Sequence, residues 1–147
     1  MIVVIGVGLL AMAACLAFQA LASVLAVRYF VRAMKQSTGR RRWLSVFLQF
    51  STMMSLLMLG NIVQVAFWAW LYGALGAFDD FQTAMYFSGV TFTSLGYGDV
   101  VLDGRVRMLA PLQAANGLMM FGITTALFVA FVQLAIGRWT AAHPKSK

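Results

Sequence analysis

The chain has 147 residues, 62% of them apolar and only 10% charged, with a formal charge of +7 at pH 7. So few charges cannot solvate the surface of a water-soluble globular domain, which leaves a membrane protein. Nor does the positive charge point to nucleic acid: Arg28, Arg32, Lys35, Arg40, Arg41 and Arg42 gather in one short segment between oily stretches, where anionic lipid is the expected partner.

Residues 2–27 carry no charge. A bilayer core of roughly 30 Å takes about 20 helical residues, so 1–34 is expected to be an N-terminal transmembrane helix. A cleaved signal peptide is the alternative, but no basic residue precedes the apolar run and the run is long for a signal core. Cys15 lies inside this helix and, as the lone cysteine, implies no disulfide framework. Gln19 is read as a bond to a neighbouring helix without chemistry of its own.

The basic loop, 35–42, holds no acid, which assigns it to the cytoplasm and the N-terminus to the outside. Arg40, Arg41 and Arg42 are its candidate lipid contacts, a purely topogenic role being the alternative. The spacing of Arg28, Arg32 and Lys35 is that of a charged sensing helix, yet these residues lie beyond the apolar run. Residues 43–78 then form an outer helix long enough to span with tilt.

The next run, 81–98, is short and contains a glycine-tyrosine string, so it is not a span. Asp79 and Asp80 stand where helix starts favour carboxylates. A helix over 79–93, about 20 Å long, is expected to enter the membrane part-way, its negative end toward the centre, a polarity suited to holding a cation.

Directly after it come residues 94–98. Carbonyls alternate sides along a strand. Gly96 and Gly98 can take left-handed angles, which would turn the carbonyls of Ser94, Leu95, Gly96 and Tyr97 one way, as a ladder about 13 Å long. Bare backbone at such depth is tolerated only inside protein or against water and ions. An inner helix over 106–138 follows, with Pro111 near its start, where a missing donor costs least. Residues 139–147 are expected to form a short cytoplasmic tail, with no room for a regulatory domain. All four acids, Asp79, Asp80, Asp99 and Asp103, fall on the outer side, together with Arg105 and Arg107.

An enzyme is not expected. With one histidine, His143, one cysteine and no glutamate, the chain offers neither a metal cluster nor a nucleophile-base pair.

The run Thr93, Ser94, Leu95, Gly96, Tyr97, Gly98, Asp99 resembles the selectivity filter of the potassium-channel pore-loop family. The resemblance extends over 43–138, and small bacterial channels with an additional N-terminal transmembrane helix are similar over the whole chain. It implies an all-α membrane protein with three transmembrane helices, a re-entrant pore helix and a filter loop, assembled as a homotetramer in the bacterial inner (plasma) membrane. The first helix would then lie at the periphery. Ser94, Leu95, Gly96, Tyr97 and Gly98 would bind permeant K+, with no cofactor and no small-molecule substrate, while Thr93, Asp99 and Tyr86 would support the filter. Two departures stand out: Ser94 where threonine is usual, and Leu95 where valine is commoner.

By the same resemblance Tyr86 and Phe87 occupy the place of an aromatic pair, and the Tyr86 hydroxyl is expected to reach the Asp99 carboxylate, simple space-filling being the alternative. Val90 stands where many relatives carry glutamate. Gly117 aligns with a hinge, or serves close packing. Leu118, Phe121, Gly122, Thr125 and Val129 would line the cavity; Thr125 either contributes a polar ring or bonds back to its own helix, and Asn116 is read as a helix contact. A weakly selective monovalent cation channel and a non-conducting assembly protein with the same fold are the rival functions.

Overall fold

The computed structural model describes residues 2–36 and 42–142. With 62% apolar residues and only two prolines, the chain can satisfy its backbone in lipid only by forming long helices. Among the described residues there are four: α1, Ile2–Gln36; α2, Arg42–Ala74; α3, Phe81–Phe92; and α4, Leu109–Ala142. A 3-10 turn, Gly104–Val106, precedes α4. Among the described residues there is no strand. Three stretches are long and apolar enough to cross a membrane, Ile2–Arg32, Leu44–Ala74 and Gly104–Gly137, and α3 is not one of them.

Helix ends differ from the sequence expectation for local reasons. The outer helix, expected to reach residue 78, stops at Ala74 because Gly76 takes a left-handed φ of +67°. There the Gly76 N–H donates to the Gly73 carbonyl at 3.0 Å and the Ala77 N–H to the Tyr72 carbonyl at 2.9 Å. These paired bonds close the helix and satisfy carbonyls that would otherwise face lipid. The short helix spans Phe81–Phe92 where 79–93 was expected, since Asp80 is its cap and Thr93 already leaves it. The inner helix begins at Leu109 and not at 106, which leaves Pro111 in the first turn, where no backbone donor is lost.

The long helices pack through stripes at helical spacing. On α1 the buried positions include Ala11, Cys15, Gln19, Ala26 and Phe30; on α2 they include Met53, Leu57, Asn61, Gln64 and Trp68. One apolar cluster joins Ala11 and Cys15 to Trp68, Tyr72, Phe87, Leu102 and Leu109, and so involves α1, α2, α3 and α4. A second cluster, toward the other end, joins Ala26, Phe30, Met53, Leu57 and Phe131, with the Phe30 and Phe131 rings 4.7 Å apart. The first helix therefore packs against both α2 and α4 within the chain.

Between α1 and α2 runs a polar seam. The Gln64 Nε2 donates to Gln19 Oε1 at 2.9 Å, and both residues are buried. Replacing either glutamine by leucine strands the partner's amide in an apolar environment, whereas replacing both removes the need for a bond. Gln19→Leu and Gln64→Leu are each expected to cost about 1 kcal/mol, and the double variant less than the sum of the singles. Thermal unfolding of the purified protein in detergent checks the cycle.

Candidate functional site

The short helix α3 is started by Asp80, whose Oδ2 accepts from the Thr83 N–H at 2.9 Å and from Thr83 Oγ1 at 3.1 Å. These donors, the Thr83 backbone first, hold the Asp80 carboxyl below the usual carboxylate range. Twelve residues make α3 about 18 Å long, too short to span. Its C-terminal, partially negative end opens onto residues 94–98.

That end repeats the closure seen on α2. The Ser94 N–H donates to the Thr91 carbonyl and the Leu95 N–H to the Val90 carbonyl, both at 2.9 Å, with Ser94 in the left-handed position at φ +58°. Gly96 and Gly98 follow at φ +56° and +78°, while Leu95 and Tyr97 are not left-handed. Two residues on this stretch were expected to take left-handed angles and three do. The signal for Ser94 is its side chain: a β-branched threonine resists positive φ, a serine less so. Alternation of φ sign from residue to residue sets this stretch apart from an ordinary strand, whose carbonyls alternate sides. The Leu95 and Tyr97 side chains project out of the chain, 54% and 68% exposed.

Beyond the string, Asp99 is bonded twice. The Tyr86 Oη donates to its Oδ2 at 2.6 Å, and the Val100 N–H to its Oδ1 at 3.0 Å. The expected approach of Tyr86 to Asp99 is thus present. The bond lowers the Asp99 carboxyl and raises the Tyr86 phenol from their ordinary values. It persists as pH falls past the normal carboxylate range, until the depressed Asp99 value is reached, and it persists on the alkaline side until pH rises through the raised Tyr86 value. Thr93 turns its Oγ1 back to the Gly89 carbonyl at 2.9 Å and to the Val90 carbonyl at 3.2 Å.

Three residues not singled out in the sequence hold α3 in place. The Tyr72 Oη donates to Gln113 Oε1 at 2.5 Å; the Gln113 Nε2 donates to Ser88 Oγ at 2.6 Å and to the Ser88 carbonyl at 3.2 Å; the Ser88 Oγ donates to the Val65 carbonyl at 2.7 Å. Tyr72, Ser88 and Gln113 are all fully buried. Polar residues inside apolar helices were the available signal, but spacing along one chain does not reveal which helices they join.

The inner helix presents two faces. Gly117 lies against the end of α3, where an added Cβ would overlap the Phe92 carbonyl, so the close-packing role accounts for this glycine. The Phe92 and Phe121 rings meet edge to face at 5.7 Å. Asn116 is wholly buried beside Cys15, in line with a helix contact. Leu118, Gly122, Thr125 and Val129 are exposed on the other face, and Phe121 partly so; Thr125 bonds back to the Phe121 carbonyl at 2.9 Å. Arg40 and Arg41 lie outside the described residues, as does the side chain of Arg42. Among the described residues no group of three or more histidine, cysteine or acidic residues could hold a metal ion.

A family model described as an ion channel matches residues 61–134, from the middle of α2 through α3 and the 94–98 string into most of α4. Comparison with curated proteins and with solved structures finds no match.

Two outcomes follow from the geometry. Gly117→Ala is expected to cost about 2 kcal/mol, because α4 must withdraw from rigid backbone, and thermal unfolding measures it. In Tyr86→Phe the Asp99 carboxyl should titrate at higher pH than in the native protein, having lost its main stabilising donor, as read from its carbon-13 chemical shift.

Proposed function

This chain belongs to the ion-channel family, and from that membership we propose that it conducts potassium ions passively across the membrane as a homotetramer. In this reading the backbone oxygens of Ser94, Leu95, Gly96, Tyr97 and Gly98 replace the water shell of the ion, and ions in successive sites drive one another forward. The single observation that carries it is the alternation of φ sign across Ser94, Gly96 and Gly98, which supports a ribbon of carbonyls immediately after a short helix whose negative end faces it.

One chain provides one strip of oxygens, and an ion needs a surrounding ring. Support for symmetric assembly comes from what a single chain leaves uncovered: the Leu95 and Tyr97 side chains, and on α4 the apolar side chains of Leu118, Met119, Phe128 and Val129. Filling these faces with identical copies would bury them and would put Leu118, Phe121, Gly122, Thr125 and Val129 around a central cavity. Catalysis is not part of the reading, and no cofactor is required beyond the permeant ions. The basic segment with Arg40, Arg41 and Arg42 fits a cytoplasmic side rich in anionic lipid, with the N-terminus outside and the membrane being the bacterial inner one.

Liposomes containing the purified protein test this directly. Under mixed potassium and sodium gradients the reversal potential should follow potassium, and barium should block the flux. A reversal potential that follows sodium overturns the selectivity; no flux across voltage, pH and lipid composition favours the assembly protein. Gly98→Ala, which places a side chain at φ +78°, is expected to abolish potassium selectivity or flux altogether.

A further inference from the structure

We propose that Gln113 is a positioning residue for the 94–98 string: acting through Ser88, it sets the height and rotation of α3 and with them the ion affinity of the carbonyl ladder, a role that rests on the channel reading above.

The carboxamide of Gln113 is used fully. Its oxygen accepts from Tyr72 of α2, and its nitrogen donates to both the hydroxyl and the carbonyl of Ser88 on α3. One turn along α4, the equally buried Asn116 amide lies beside the Cys15 thiol of α1 and takes no part in this junction. The bonds of Gln113 reflect its placement opposite α3. The Ser88 hydroxyl continues the path to the Val65 carbonyl, so α2, α3 and α4 meet at one fully bonded junction.

The junction grips α3 at one of two points. Ser88 and Phe92 are four residues apart and so share a helix face; Gln113 and Gly117 are spaced the same way on α4. Gln113 bonds Ser88, and Gly117 abuts the Phe92 backbone. Two contacts a turn apart fix both the axial position and the rotation of α3, where a single one would leave it free to pivot. Two residues past Ser88, the Val90 carbonyl accepts the N–H of Leu95 at 2.9 Å and that of Gly96 at 3.4 Å. A displacement at Ser88 is therefore carried through less than one turn of rigid helix to the base of the ladder. Ion coordination by carbonyls is sensitive to such displacements, and a site held a fraction of an ångström out of place loses affinity.

The test is thermal unfolding of the full-length protein as a function of potassium concentration, with ionic strength held constant by a large organic cation. Potassium should raise the melting temperature of the native protein with a measurable midpoint concentration. Gln113→Met keeps the volume and removes all three bonds; it should move that midpoint up roughly tenfold. Ser88→Ala and Tyr72→Phe should move it the same way by less, and neither should add fully to Gln113→Met. Asn116→Met, one turn away, should leave the midpoint in place. If the variants melt lower by the same amount at every potassium concentration, the network serves the fold alone and the inference is wrong. If the native protein gains no stability from potassium, the channel reading fails and takes this inference with it. Should Gln113→Met not fold, the two milder variants decide the matter.

Discussion

Every backbone N–H and carbonyl at membrane depth must find a partner inside the protein, and the shape of this chain follows from where that demand is met and where it is relaxed. Helices meet it along almost the whole chain. At two helix ends, after Tyr72 and after Val90, the same pair of reversed bonds closes the last turn around a left-handed residue. After the first closure the chain crosses to Asp80 and turns back into α3. After the second, residues 94–98 run on outside any helix, and the chain re-enters helical structure only at Gly104.

Polar groups inside the bundle fall into two kinds. The junction of Tyr72, Gln113, Ser88 and the Val65 carbonyl has a partner for each side-chain group and sits directly behind α3. Farther along, the buried Asn61 amide has no hydrogen-bond partner among the described residues, and Gln19 and Gln64 share a single bond. A satisfied network specifies one arrangement, whereas loosely matched groups permit several of similar energy. The part of the bundle that backs α3 is thus the part most narrowly specified.

Much of the architecture was legible from residue types. Charge-free runs gave three spans, Asp80 gave the start of α3, and Gly96 with Gly98 gave the left-handed backbone. The Tyr86 to Asp99 bond was legible through resemblance. Ser94 left only a weak signal: serine tolerates a positive φ better than threonine, but the closure of α3 that demands one was not visible in the sequence. Nor was the Gln113 junction, because a lone glutamine in an oily helix carries no mark of the helix it will face. The end of α2 lay in plain view at Gly76, but an uncharged run hides a stop signal when only charge and length are weighed. For Gly117 the sequence leaves hinge and packing equally open, and the packing partner is the carbonyl of Phe92 against it, which no spacing reveals.

The bond between Gln19 and Gln64 also constrains how the protein is made. Helices enter the bilayer in the order of synthesis, so α1 reaches lipid with an unmatched amide before α2 exists to receive it. Arrival of α2 brings the Gln64 Nε2 donor to Gln19 Oε1, so that the two polar side chains face each other and not the acyl chains.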